Sequence, residues 1–232
     1  MQTQAETATP IPPVSTRLPA REVPTTSRKV VLYKLVVLGD GNAGKTALVM
    51  QLFPKCFVEP YDPTAENLYQ KLVHIDDMGC ILEVFDTTCQ EEYPALQDQC
   101  IRANEGFIIL YSITSRSSFA QVRSFHRRIH RVNESTRAHS DIPAPIMLVG
   151  NNCERTTERE VSTQEGHDMA KELGCGFVEA SAKNCINVEK AFYDVVRIIR
   201  RQRNQQQRQQ HSLSNPTSGP SRYRWLKKSG KR

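Results

Sequence analysis

The stretch GDGNAGKT, from Gly39 to Thr46, holds residue types that can bind phosphate. Gly39, Gly44, Lys45 and Thr46 fit the spacing G-x-x-x-x-G-K-[ST]. Glycines at these positions let backbone N–H groups surround phosphate oxygens, while a lysine neutralises the β- and γ-phosphates and a hydroxyl binds Mg²⁺. The stretch is therefore predicted to be a phosphate-binding loop rather than a plain glycine-rich turn.

Such a loop requires a strand before it and a helix after it. KVVLYKLVVLG is an apolar, β-branched run that ends at Gly39, and KTALVMQLF has helical spacing. Further strands are predicted at NLYQKLVHI, CILEVFD, GFIILYSI, APIMLVGN and GFVEAS, the first two joined by the turn DDMG. Helices are predicted from TSRSSF, from STQEG and from about Asn187. The pattern predicts an α/β fold whose six-stranded sheet is mostly parallel, with one antiparallel strand and helices on both faces.

Four further motifs, YDPTAENLY, DTTCQEEY, VGNNCE and ASAKN, follow the loop in order. Together with the loop they make residues 30–203 similar to the Ras family of small GTPases. The resemblance implies a P-loop NTPase G domain that binds GTP and GDP with Mg²⁺ and hydrolyses GTP by direct attack of water. Residues 1–29 and 204–232 are expected to be a disordered N-terminal extension and a basic, flexible tail.

The resemblance also implies roles for individual residues. Gln90, Lys45 and Thr64 are the implied catalytic residues, and Gln90 orients the attacking water. Mg²⁺ ligands are implied at Thr46, Thr64 and Asp86. The implied nucleotide-binding residues are Gly39, Asp40, Gly41, Asn42, Ala43, Gly44, Lys45, Thr46, Ala47, Phe57, Tyr61, Pro63, Thr64, Cys89, Asn151, Asn152, Glu154, Ser181, Ala182 and Lys183.

The second switch departs from the family pattern Asp-x-x-Gly-Gln. Its metal-linked Asp86 and its Gln90 are present, but Thr88 and Cys89 stand where the family has a small alanine and a glycine. A β-carbon removes conformational freedom and room beside a ligand. We therefore expect the switch to close less completely on GTP, with slow intrinsic hydrolysis. A redox or nucleophilic role for Cys89 is disfavoured, because Glu91 and Glu92 follow it and a reactive thiol needs nearby positive charge.

The base-recognition motif and the effector loop also differ from the family. Asn-Lys-x-Asp is replaced by Asn151, Asn152, Cys153 and Glu154, so a lysine is lost and the carboxylate is one methylene longer. Because Ser181, Ala182 and Lys183 keep the family's SAK motif, we expect guanine selectivity to persist with lower affinity. Ala65 and Asn67 replace an apolar and an acidic residue of Ras effector loops, which predicts altered effectors.

Charge is divided unevenly along the chain, whose net charge is +6. From Arg197 onward there are 11 Lys/Arg and no Asp/Glu, which leaves 20 basic and 25 acidic residues before that point. The C-terminal KKSGKR does not match the family's lipidated C-a-a-X box, so no lipid anchor is expected. The tail, with Tyr223 and Trp225, is expected either to contact anionic membranes weakly or to be a solvated or nuclear-import-like segment; nucleic-acid binding is disfavoured.

Seven scattered cysteines and no apolar leader favour an intracellular, cytoplasmic protein, peripheral at the plasma membrane if the tail binds there. The expected partners are an exchange factor, a GTPase-activating protein and effectors, with the chain itself a monomer. Gly41 lies where the family leaves room for an activating arginine. The six histidines are predicted to be surface residues, since no carboxylate joins His126 and His130 at metal-site spacing.

Two rival functions remain open at this level. Thr88, Cys89, Asn152 and Glu154 favour a pseudo-GTPase that binds nucleotide without switching and acts as an interaction scaffold. A P-loop ATPase or small-molecule kinase is poorly supported, because SAK and YDPT would then be unexplained.

Overall fold

The computed structural model describes residues 30–53, 67–87, 93–136 and 143–214, with side chains in the last range described through Arg208. The strands are β1 (Val31–Gly39), β2 (Leu68–Ile75), β3 (Met78–Asp86), β4 (Gly106–Ser112), β5 (Ile146–Asn151) and β6 (Gly176–Glu179). The helices are α1 (Lys45–Leu52), α2 (Pro94–Ala103), α3 (Arg116–Thr136), α4 (Thr163–Leu173) and α5 (Val188–Ser214).

The sheet has the strand order β2-β3-β1-β4-β5-β6. Only β2 runs antiparallel to its neighbour, and the other described pairs are parallel. The two-residue turn between β2 and β3 is formed by Asp76 and Asp77, which both have positive φ. Aspartate tolerates this conformation better than most residues, so the predicted hairpin forms where the sequence signals it. The predicted fold class is confirmed.

Both faces of the sheet are covered because the central strands β4 and β5 are mostly apolar. Every residue of β4 and of β5 is buried. One apolar cluster places Leu48 of α1 and Phe192 of α5 against the sheet. A second cluster, on the other face, includes Ile101 of α2, Ile129 of α3 and Met169 of α4. The helices therefore hold the strands rigidly and leave the strand ends to carry a site.

α5 extends beyond the predicted domain: it continues to Ser214, so the predicted boundary after Arg203 falls inside this helix. The first basic residues of the C-terminal block, on α5, form ion pairs with acidic residues of the domain. Arg197 forms ion pairs with Asp76 and Asp194, and Arg203 pairs with Glu105. The start of the basic block is thus part of the folded body. Among the described helices, none combines the length and the apolar character needed to cross a membrane.

Candidate nucleotide-binding site

The phosphate loop leaves β1 at Gly39 and enters α1 at Lys45. Between them, Gly41–Ala43 forms a 3₁₀ turn that is closed by a hydrogen bond from the Ala43 N–H to the Asp40 carbonyl (3.0 Å). Gly44 then adopts φ +84°, in the left-handed region, and a β-carbon there would lie 2.6 Å from Asn151 Nδ2. Glycine is required at position 44 both for its backbone conformation and for the close approach of a neighbouring loop.

Lys45 lies beneath this loop with its side chain buried to 1% exposure. Its ammonium donates hydrogen bonds to the Gly39 and Asp40 carbonyl oxygens, each at 3.0 Å. These contacts fix the lysine at the N-terminus of α1, where the helix dipole also favours anions. The loop therefore combines a fixed positive charge with a helix terminus suited to phosphate.

Two oxygen donors meet beside the loop, at the carboxyl end of β3. Thr46 Oγ1 donates a hydrogen bond to Asp86 Oδ2 over 2.5 Å. Asp86 is 1% exposed, and its neighbour Thr87 donates from Oγ1 to the Val37 carbonyl (2.7 Å), which anchors the chain after the strand. A hydroxyl and a carboxylate are the hard oxygen ligands that Mg²⁺ prefers, so this donor pair fits that ion.

The ends of β5 and β6 form the other half of the site. Asn151, buried at the end of β5, donates from Nδ2 to the Ala43 carbonyl (2.9 Å). The Cys153 N–H donates to the Ala180 carbonyl (3.1 Å), joining the segments after the two strands. Ser181 is fully buried, and its hydroxyl accepts the Asn184 N–H (3.0 Å), which shapes the turn carrying Ala182 and Lys183.

Cys153 lies within the same segment as the altered base-recognition residues. Burial, and then the carboxylates of Glu154 and Glu179, raise the pKa of the Cys153 thiol. The thiol is therefore protonated near neutral pH. Asn152, beside it, has φ +66°, a left-handed conformation that asparagine tolerates better than most residues.

A cavity of about 490 Å³ lies between these two halves. Its lining comprises Gly44, Ala47, Gln51, Asn151, Asn152, Glu154, Arg155, Glu158, Ala182 and Lys183. The volume is within the range of about 300–1,000 Å³ found for small-molecule sites. Glu154 Oε2 and Asn151 Oδ1 are buried without a hydrogen-bond partner in the described part of the chain. Such atoms are costly to bury unpaired, so the cavity suits a ligand that presents hydrogen-bond donors.

The site contains residues that the sequence did not single out. Gln51, Arg155 and Glu158 line the cavity, and Arg155 forms an ion pair with Glu158 at its rim. Gln51 lies one helical turn beyond Ala47, so the spacing along α1 was an available signal. No comparable pattern marks Arg155 or Glu158, because their positions depend on the 3₁₀ turn after β5.

The structure brings most of the predicted site residues together. Residues 39–47 form the loop and the start of α1, and Asp86 adjoins Thr46. The predicted residues at positions 151–154 and 181–183 surround the cavity or support it. The remaining predicted residues lie outside the described ranges: Phe57, Tyr61, Pro63, Thr64, Cys89 and Gln90. The altered residues Ala65 and Thr88 lie outside them as well.

This fold and site define a nucleotide-binding protein of the P-loop class. A family model described as Ras family matches residues 34–201. Ras-like protein 1 of Pyricularia oryzae is 60% identical over 192 residues, which cover 78% of this chain and 80% of that protein. Protein ras-2 of Neurospora crassa is 58% identical over 207 residues, which cover 84% of this chain and 90% of that protein. Ras-like protein B of Aspergillus fumigatus is 54% identical over 213 residues, which cover 84% of this chain and 89% of that protein.

The chain belongs to the Ras family. It is a GTP-binding small GTPase, a GTP hydrolase with a G-domain fold.

Proposed function

We propose that the chain binds GTP and GDP with Mg²⁺ and hydrolyses GTP slowly, as a signalling switch that depends on an activating protein. The observation that carries this proposal is the cavity beside the phosphate loop, where Glu154 and Asn151 hold buried oxygens without a partner in the described residues. The guanine base presents donors at N1 and at its amino group, and a carboxylate accepts both. GTP therefore satisfies the base end and the phosphate end of one continuous site.

The phosphate loop holds the nucleotide by charge and by backbone donors. The Lys45 ammonium faces the β- and γ-phosphates, and the N–H groups of residues 41–46 surround the phosphate oxygens. The Ala182 N–H meets the guanine O6, while Lys183, Phe57 and Tyr61 pack around the base and ribose. Pro63, beside Thr64 in sequence, is also proposed to contact the nucleotide. The longer Glu154 side chain weakens base binding but retains guanine selectivity.

Hydrolysis breaks the bond between the γ-phosphorus and the β–γ bridging oxygen as water attacks the γ-phosphorus in line, giving GDP and inorganic phosphate. Gln90 orients that water, and Lys45 stabilises charge on the phosphoryl oxygens. Thr46, Thr64 and Asp86 would hold Mg²⁺, which when bound would supply positive charge to offset the negative charge of the phosphates. Cys89 has a β-carbon where a glycine N–H approaches the γ-phosphate, which slows closure of the second switch.

The proposed partners follow from the switch function. An exchange factor releases GDP, a GTPase-activating protein supplies an arginine near Gly41, and effectors read the GTP-bound loop with Ala65 and Asn67 in it. The domain is assigned to residues 30–203 and is proposed to act as a monomer. The basic segment at 204–232 gives a weak, salt-sensitive contact with the anionic inner face of the plasma membrane and no nucleic-acid binding.

Single-turnover hydrolysis of GTP by the wild type and by Cys89→Gly tests the proposal, with Gln90→Leu as the catalytically impaired control. The Cys89→Gly variant is expected to be faster, by at most the factor of about 10²–10³ associated with one backbone donor to a transition-state charge. Equal rates in these two proteins would contradict the role of Cys89. Binding of GTP without turnover, even by the Cys89→Gly variant, would instead identify a nucleotide-binding scaffold.

A further inference from the structure

Two histidines of α3 lie close together, and neither is among the residues that line the nucleotide cavity. His126 and His130 are one helical turn apart, and their Nε2 atoms are separated by 3.2 Å. The ring centroids are 4.4 Å apart with an angle of 47° between the ring planes. Both side chains are half-buried. The two imidazole nitrogens therefore lie next to each other rather than on separate parts of the surface.

This separation matches the spacing of two nitrogens on one metal ion. With metal–nitrogen bonds of about 2.0–2.1 Å and tetrahedral angles, two ligand nitrogens stand about 3.3 Å apart. Histidines at positions i and i+4 of a helix are a recurring source of such a pair. The observed geometry thus needs little rearrangement to bind a metal.

A third candidate ligand atom for a metal ion lies beside the pair. The Leu173 carbonyl oxygen, at the C-terminal end of α4, lies 3.1 Å from His126 Nε2. His126 Nε2 therefore faces both an acceptor oxygen and the Nε2 of the other ring. A hydrogen on His126 Nε2 points along only one of these directions, and a lone pair there would face the carbonyl oxygen. A cation bound between the two Nε2 atoms and the Leu173 carbonyl oxygen would have all three atoms as ligands.

Two arginines of the same helix are paired with neighbouring groups. Arg123 forms an ion pair with Glu172, the residue before Leu173. Arg128 donates to Asp98 (2.6 Å) and to Gln97 (2.8 Å). The C-terminus of α4 adds the negative end of a helix dipole. These neighbours make the position favourable for a cation despite the basic character of α3.

We propose that His126, His130 and the Leu173 carbonyl form a binding site for a divalent transition metal of the class that prefers imidazole, with water completing its coordination. Imidazole suits Zn²⁺, Cu²⁺ and Ni²⁺, whereas Mg²⁺ prefers oxygen ligands and does not compete for these nitrogens. The bound ion joins the middle of α3 to the end of α4. The site is independent of GTP hydrolysis, so its test does not depend on the proposed switch.

Calorimetric titration of the full chain with NiCl₂, in excess MgCl₂ and GDP, tests this site. Ni²⁺ is the better probe because the soft cysteine thiolates favour Zn²⁺ and Cu(I). Wild type is compared with His126→Gln, His130→Gln and the double variant, and His74→Gln removes an exposed histidine of β2 as a matched control. One bound equivalent is expected in wild type and in His74→Gln, and its loss is expected in each α3 variant.

Thermal unfolding provides a second measurement on the same proteins. Ni²⁺ should raise the melting temperature of wild type and of His74→Gln but not of His130→Gln, because only a ligand that binds the folded state stabilises it. Unchanged GDP affinity in His130→Gln shows that the variant is folded. Equal Ni²⁺ binding by wild type and the double variant, or binding that persists in His130→Gln, would overturn the proposal.

Discussion

The side-chain amide of Asn151 donates a hydrogen bond to the Ala43 carbonyl over 2.9 Å, joining the end of β5 to the phosphate loop. The contact connects residues 108 positions apart in the chain. It leaves the Asn151 Oδ1 atom buried, without a partner in the described residues. The same side chain therefore fixes the loop that holds phosphate and offers an acceptor at the cavity.

Replacing Asn151 by aspartate should accelerate nucleotide release. A carboxylate cannot donate to the Ala43 carbonyl, and a buried acceptor without its donor costs about 1–3 kcal/mol. That cost corresponds to a GDP dissociation rate about 5–150 times higher, measured by displacement of a fluorescent GDP analogue. Asn184→Asp, on the exposed turn after Ala182, makes the same chemical change outside this contact. Similar dissociation rates in both variants would contradict the coupling between the two loops.

Changes at Glu154 should alter base selectivity. Glu154→Asp shortens the side chain and should bind GDP more tightly than wild type. Glu154→Gln loses a charged acceptor worth about 1.5–3 kcal/mol, and GDP affinity should fall about 10–150-fold. The glutamine amide can donate to the C2 carbonyl of xanthine, so XDP should bind this variant better than it binds wild type. Titrations with GDP, XDP and ADP measure these differences.

Glu158→Gln provides the matched control for that experiment. Glu158 lines the same cavity but forms an ion pair with Arg155 at its exposed rim. Its substitution removes one carboxylate and should leave the GDP:XDP ratio unchanged. A change of selectivity in Glu158→Gln equal to that in Glu154→Gln would show that overall charge, and not a direct contact, sets base preference.

Local signals in the sequence were sufficient for the fold and for the phosphate loop. The spacing from Gly39 to Thr46 specifies consecutive residues whose conformation is local, and Asp76 and Asp77 mark their hairpin by tolerating positive φ. Contacts between segments that are distant along the sequence could not be predicted from such local signals. The bond from Asn151 to the Ala43 carbonyl depends on the packing of segments that are 108 residues apart. The spacing of His126 and His130 places both on one face of α3, but the 3.2 Å separation of their Nε2 atoms depends on side-chain rotamers. Motif spacing does not encode either contact.

The negative charge of Glu165 should stabilise the folded state at neutral pH and not at strongly acidic pH. Hydrogen bonds from Arg116, and then from the Ser162 N–H and hydroxyl, lower the pKa of Glu165 to about 2. In the unfolded chain a glutamate has a pKa of about 4.3, so the folded state gains stability above that pH and loses it as the pH falls toward 2. Glu165→Gln should therefore lower the free energy of unfolding at pH 7, with a difference from wild type that shrinks below about pH 4.

Urea unfolding between pH 7 and pH 3 measures this difference. Glutamine at position 165 can still accept from the N-cap in the capping box, so the substitution keeps the cap and removes the carboxylate that pairs with Arg116. Glu134→Gln, at an exposed position on α3, controls for the loss of one negative charge. A gap between wild type and Glu165→Gln that stays constant over the whole range would contradict the role of the Arg116 contact.

Removal of the Arg200 side chain should destabilise the domain although the residue belongs to a basic block. Arg200 Nη1 donates to the Ile75 carbonyl (2.8 Å), its Nε donates to the Tyr33 hydroxyl (3.1 Å), and its guanidinium carbon lies 5.5 Å from the centroid of the Tyr33 ring. Arg200→Ala removes the side-chain donor to the Ile75 carbonyl and the contacts with Tyr33, and should lower the free energy of unfolding by about 1–3 kcal/mol. Arg201→Ala removes the same charge from an exposed position on α5 and should change it by less than about 0.5 kcal/mol. Urea unfolding of the two variants separates a structural contact from a charge effect. Equal losses in both would mean that the basic block acts only through its net charge and that Arg200 does not fasten α5 to β1 and β2.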